Sequence, residues 1–414
     1  MKETKPDTMQ QDTKPKHSKS GFFQKKWVRR VRIVLIAIGG LLAAVVAGFL
    51  VVFYTPFFPD ARTQYILMTL HTSNPWLATA FFSDETIARV LEENRVEAPE
   101  GNTNPDLIQM GGTTTSSAAS TSASTASTES TGSQTTAATT TTKATTTTKA
   151  TTTTRKTAAP DPDKTYSAAF PIAPRAEAGK YEASVIYSEE GMDILQLPGD
   201  GYMARLIRVQ DPSRVSLGLS KDFMKRGEKL HNMCERLGAI TGINAGGFDD
   251  PGGHGSGGVP TQVCVKDFEI LYTDDQETHK VIGFNADNVL ILGEFTNEQI
   301  VEQRIRDAVA FGPFLILNGE RAATFGAAGG KDPRAAIGQT ADGTVLLLTV
   351  DGRQIGMEGA NMKQVLDILW DFGAVNAANL DGGSSTTMAL GGKVINKPCG
   401  PAGARYLPNA WIVK

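Results

Sequence analysis

The chain has 414 residues, 40% of them apolar and 21% charged, enough to bury at least one good core. Its 41 basic and 44 acidic residues leave a formal charge of −3, so no global field draws it to nucleic acid. The three cysteines, Cys234, Cys264 and Cys399, and five scattered histidines show no zinc-ligand spacing and no disulfide framework, although one bridge stays open as an option.

Taken in chain order, residues 1–32 are a basic tail ending in Lys25, Lys26, Arg29, Arg30 and Arg32. From Ile33 to Tyr54 the chain reads IVLIAIGGLLAAVVAGFLVVFY, without a charge. Roughly 20 apolar residues in a helix cross a ~30 Å hydrocarbon layer, so 33–54 is expected to be one transmembrane helix. Basic residues dominate its N-terminal flank, which predicts a cytoplasmic N-terminus and an extracellular C-terminal part, a single-pass protein of the cell membrane. The run is too long for a cleaved signal peptide, and no small-residue cleavage site precedes Thr55-Pro56. Gly40, Ala44 and Gly48 form a small-residue face of the kind that pairs membrane helices, a weak pointer to a homodimer.

Residues 55–110 read as a juxtamembrane neck without chemistry. Ser83, followed by Thr86, Ile87, Val90 and Leu91, predicts a capped amphipathic helix, and Trp76, Phe81 and Phe82 suit a membrane surface. Residues 111–164 are almost entirely Thr, Ser and Ala, including TTTTKATTTTKATTTT. Such a stretch buries too little apolar surface to offset its ordering entropy, so a disordered stalk is expected.

The remaining 165–414 is the size of one domain. Short β-type runs dominate it: Tyr202–Val209, Val215–Leu219, Ile240–Asn244, Gln262–Lys266, Lys280–Asn285, Val289–Leu292, Val345–Val350 and Trp411–Val413. Three helices stand out. One carries Leu230, Met233, Cys234 and Leu237 at helical spacing and stops at Gly238; one opens on a Thr296/Gln299 capping box; one carries Met362, Val365, Leu366 and Leu369 and stops at Gly373. Helices and strands do not alternate, so the fold class is α+β: a mixed, strand-rich single catalytic domain with a few flanking helices.

Three familiar catalytic readings fail. GGFDDPGGHGSGG (246–258) has the wrong glycine spacing for a dinucleotide loop, and GAAGGKDPR (326–334) lacks the phosphate-loop spacing. Neither Ser256 nor Ser384 sits in G-x-S-x-G. His254, inside PGGHGSGG, reads as a solvent-facing loop residue.

Four segments together resemble the phosphodiester glycosidase family: TGINAGGF (241–248), FGPFLILNGE (311–320), DPRAAIG (332–338) followed by TVDGR (349–353), and NLDGGSSTTM (379–388). A closing RYLPNAWIV (405–413) matches the family's usual end. The resemblance covers about 230 C-terminal residues, and its most specific element is LDGG-S-T after a strand. Ala335 stands where a threonine is usual, and Ser384 replaces a frequent third glycine.

The resemblance implies a hydrolase that cuts the C1–O bond of a glycosyl phosphodiester. Asp381, Asp351 and Arg334 are the catalytic candidates: a carboxylate, a second carboxylate, and a planar five-donor fork for a phosphate diester. Asn244, Asn379, Gly382, Gly383, Ser384, Ser385, Thr386 and Arg405 are the substrate-binding candidates. Alone, an Asp-Gly after a strand is usually a turn, and a lone arginine is usually a surface ion pair. The expected partner is a phosphorylated glycan or cell-wall polymer, with no cofactor and no metal called for. A tethered, non-catalytic polysaccharide-binding module and a glycosyl transferase remain as alternatives.

Overall fold

A computed structural model describes residues 20–55, 57–70, 72, 75–110, 164–251 and 256–414. Residues 111–163 of the expected stalk 111–164, and His254, lie outside the described residues. The chain divides into two compact units, Met1–Thr63 and Gln64–Lys414.

The first unit contains the helix Ser20–Tyr54. Its segment Trp27–Tyr54 has a mean hydropathy of 2.8 and is long and apolar enough to cross a membrane. Gly40 and Gly48 have open space where a side chain would stand.

In the second unit the strands pair antiparallel throughout and form three principal sheets. The largest has eight strands, in the order Glu320–Arg321, Phe314–Leu317, Ala374–Leu380, Arg334–Thr340, Val345–Asp351, Tyr202–Val209, Met192–Gly199 and Ser184–Glu189. Its side chains alternate between two cores, as the two-residue period of a strand dictates. Ala335, Ile337, Val345 and Leu347 face a core shared with the two five-stranded sheets, which supply Ile282, Phe284, Val309, Ile243 and Trp411. Ala336, Leu346, Leu348 and Val350 face the other core, which contains Val365, Leu366, Ile368 and Leu369 of the helix Met362–Asp371. Both faces are covered, so the run VLLLTV is continuously apolar instead of alternating.

The predicted stops are confirmed in detail. The helix Leu230–Leu237 ends on Gly238 in the left-handed conformation, and Thr296 and Gln299 form a reciprocal capping box at Asn297–Glu302. Cys234 and Cys264 are buried free thiols, and burial pushes each up to about 12, well away from reactivity at neutral pH. No disulfide joins the three cysteines.

One boundary needs correction: much of the expected neck is part of the globular unit. Val96–Glu97 pairs with Ala323–Thr324, and Thr103 exchanges hydrogen bonds of 2.8 Å with Leu292 in both directions. Asn94 Oδ1 accepts from Ala327 N at 2.6 Å, and Gln64 Nε2 donates to Lys331 O at 3.0 Å. Phe82, expected at a membrane surface, is only 7% exposed, with its ring 6.0 Å from that of Tyr65. The capped helix itself is as read: Ser83 accepts from Thr86 N at the start of Asp84–Glu93.

Candidate active site

The strand Ala374–Leu380 runs between Phe314–Leu317 and Arg334–Thr340, and Asp381 is the first residue past its end. Gly382 and a short 3₁₀ turn, Gly383–Ser385, follow at once. Gly383 has φ +57, a conformation that favours glycine, and a Cβ there would stand 3.3 Å from the Arg353 guanidinium, a tight contact. Asn244, at the end of Thr241–Asn244, clamps this turn at both ends. Its Nδ2 donates to Asp381 O, and its Oδ1 accepts from Thr387 N at 3.0 Å.

Asp381, Gly382, Gly383, Ser384 and Ser385 line a cavity of about 460 Å³ together with Phe248, Asp250, Phe311, Arg353 and Arg405. Burial pushes the Asp381 carboxyl up to about 6. A hydrogen bond from Ser385 and the positive charge of Arg405 pull it down, the nearby Asp250 charge pushes it up, and the Gly382 N–H pulls it down. Burial prevails, and the group titrates near neutrality, where a catalytic base or nucleophile is useful.

Two guanidinium groups reach the same cavity. Arg405 pairs with Asp250 at 2.6 Å, lies 3.5 Å from the Ser384 hydroxyl and stacks 4.8 Å above the Phe248 ring. Arg353 pairs through Nε with Asp332 at 2.7 Å, while its Nη2 is buried without a hydrogen-bond partner. A buried guanidinium donor without an acceptor is costly, and an anionic ligand oxygen would satisfy it.

Of the sequence candidates, Asp381, Gly382, Gly383, Ser384, Ser385 and Arg405 come together here. The others do not. Asp351 is a structural anion: 1% exposed, it pairs with Arg205 at 2.6 Å and accepts from Asn396 Nδ2 and Lys397 N. Arg334 is 6% exposed and donates to the carbonyls of Ala360, Gly329 and Gly330; it does not line the cavity of Asp381. Asn244 is fully engaged as the clamp just described, and Asn379 is 2% exposed and donates to Gly312 O. Thr386 is also buried, outside the lining.

Sequence reasoning missed Arg353, Asp250 and Phe248. Arg353 was within reach, as the last residue of the TVDGR segment. It lies just past the strand in a left-handed conformation, φ +53. Asp250 lies in a glycine-rich loop with no periodic pattern to betray its direction. Among the described residues, no group of three or more His, Cys, Asp or Glu side chains is arranged to hold a metal ion.

Fold and site together define a mixed α+β domain with a desolvated carboxylate facing two arginines in one cavity. Residues 237–414 match the family model for phosphodiester glycosidase, and all four sequence segments that carried the resemblance lie within that stretch. The chain is 29% identical over 176 residues to the SPbeta prophage-derived uncharacterized protein YomE of Bacillus subtilis, covering 41% of this chain and 27% of that protein. It is 40% identical over 65 residues to N-acetylglucosamine-1-phosphodiester alpha-N-acetylglucosaminidase of Bos taurus, covering 16% of this chain and 12% of that one. The chain thus spans about a quarter or less of these curated relatives. The catalytic domain of the zebrafish N-acetylglucosamine-1-phosphodiester alpha-N-acetylglucosaminidase, auto-inhibited by its pro-peptide, superposes with a TM-score of 0.44 at 20% identity, covering 59% of this chain and 86% of that one.

Proposed function

We propose that the protein is a membrane-anchored, extracytoplasmic hydrolase of glycosyl phosphodiesters, cleaving the sugar C1–O bond to release free sugar and a phosphomonoester. The observation that carries this reading is the placement of Asp381, desolvated and titrating near 6, in one cavity with Arg353 and Arg405. The family match over 237–414 supports the reaction class. Arg353 and Ser384 take the phosphate, Arg405 assists from its pair with Asp250, and Asp381 acts at C1 as nucleophile or as base for water. Asp351 holds the scaffold instead, and Arg334 lies outside this cavity.

The apolar helix and its basic N-terminal flank support an anchor with the N-terminus in the cytoplasm. A phosphorylated glycan or cell-wall polymer is then the substrate within reach. The test is phosphorus NMR on the full-length protein in detergent, incubated with a simple sugar-1-phosphodiester. Growth of a phosphomonoester signal that depends on Asp381 is expected. Binding without turnover would make the protein a polysaccharide-binding module, and product formed only with an added sugar acceptor would make it a transferase.

A further inference from the structure

A second cavity, about 620 Å³, adjoins the first, and Thr261 and Phe311 line both. Its charge is one-sided: Arg95, Lys280 and Arg334 line it, and no Asp or Glu does. Arg95 is already compensated by Glu92 and Glu97. The other two are not. Lys280 is 54% exposed and has only a loose pair with Glu294 at 3.8 Å. Arg334 has no carboxylate at ion-pair distance among the described residues. Its Nε and Nη2 are held by neutral backbone carbonyls, and Nη1 has no hydrogen-bond partner there. A nearly buried cation with one unused end in a cavity is an anion-binding arrangement.

One wall of this cavity comes from Leu67, Leu91 and the segment Asn94–Val96, all outside the stretch that matches the family model.

We propose that the two cavities form one groove for an anionic polymer, in which the repeat next to the scissile one places its phosphate between Lys280 and Arg334. This names a substrate class, a chain with at least two phosphodiester repeats, and it rests on the hydrolase reading above.

The experiment uses the full-length protein in detergent with synthetic oligomers of one, two and four phosphodiester-linked N-acetylglucosamine-1-phosphate units. One charge-assisted contact corresponds to a gain of about tenfold in kcat/KM from one unit to two, with little more at four. Lys280→Glu, at an exposed position, should reduce that gain to less than about threefold. Leu91→Glu, on the opposite wall, should do the same. Equal kcat/KM for all three lengths in the unmodified protein would overturn the groove. If no oligomer is hydrolysed, the hydrolase reading fails separately, and equilibrium binding of the same oligomers decides. Tighter binding of two units than of one, lost in Lys280→Glu, sustains the groove; equal binding overturns it.

Discussion

Arg405 Nη2 lies 2.6 Å from Asp250 Oδ2, and both residues line the cavity that contains Asp381. The pair ties the loop after Thr241–Asn244 to the chain just ahead of Tyr406–Leu407. It also means that Arg405 meets any ligand with much of its charge already answered. Arg353 is different, since its pairing to Asp332 uses only Nε and leaves Nη2 unsatisfied. A phosphate oxygen therefore gains more from Arg353.

From this, Arg353→Lys is expected to lower kcat/KM on a sugar-1-phosphodiester by about 10–100-fold, because an ammonium cannot both keep Asp332 and reach the ligand. Arg405→Lys should cost less. Steady-state kinetics on the two variants decides it, and a larger loss in Arg405→Lys would reverse the assignment.

Asp381→Asn should be folded and nearly inactive, with a loss of at least about 10³-fold. In the active protein the rate should rise with pH through about 6, since the working form is the carboxylate. The same raised value has a stability consequence. The folded state holds its proton up to about 6, whereas the unfolded chain releases it near 3.8, so stability falls as pH rises between those values and stays lower above. Asp381→Asn removes that cost. It should unfold at higher temperature than the parent at pH 7, by on the order of 1–2 kcal/mol, with the difference shrinking toward pH 4. Thermal melts at the two pH values check it.

Asp351→Asn tests the opposite assignment. The substitution leaves Arg205, which is 7% exposed, facing a neutral partner. Breaking a buried pair in this way costs about 3–5 kcal/mol, which lowers the melting temperature by roughly 6–20 °C in a domain of this size. Turnover per folded molecule should stay close to that of the parent. A stable but inactive Asp351→Asn would restore Asp351 to the chemistry.

What the sequence revealed follows from how local each cause is. The strands Tyr202–Val209 and Val215–Leu219 were read to the residue, because apolar runs bounded by turn residues are local signals. Asp381 was legible because the glycines that let the backbone turn are its immediate neighbours. The surroundings of Arg334 were not legible because type and spacing do not report side-chain partners: its acceptors are the carbonyls of Gly329 and Gly330 just upstream and of Ala360. The docking of Val96–Glu97 onto Ala323–Thr324 was invisible for the same reason, being a pairing across most of the chain with the stalk between.

Topology gives a fourth prediction. Protease added to intact cells should cut within residues 111–164 and yield a C-terminal fragment that carries Arg353, Asp381 and Arg405, because Ser/Thr-rich stretches without apolar content are cut readily. Because residues 64–109 hydrogen-bond into the fold, the two pieces should stay associated after the cut until denatured. Protection of the whole chain until the membrane is permeabilised would refute the orientation.

The last prediction concerns the leaving group. An ordinary glycosidase expels an alkoxide and needs a general acid beside its nucleophile or base, usually a second carboxylic acid. Here the second carboxylate in the cavity, Asp250, is engaged by Arg405, and Asp351 is locked in its own ion pair elsewhere. A glycosyl phosphodiester makes no such demand. Its departing phosphomonoester has a last ionisation near ~6 and can leave unprotonated, steadied by Arg353 and Ser384. One carboxylate, Asp381, is then sufficient. Simple alkyl glycosides of the same sugar should therefore be cleaved at least about 10³-fold more slowly than the phosphodiester. An aryl glycoside with an acidic phenol, which also leaves without a proton, should fall between the two. Measuring all three on one preparation tests the idea directly, since comparable rates for alkyl glycoside and phosphodiester would mean that a proton donor is present and that the single-carboxylate mechanism is wrong.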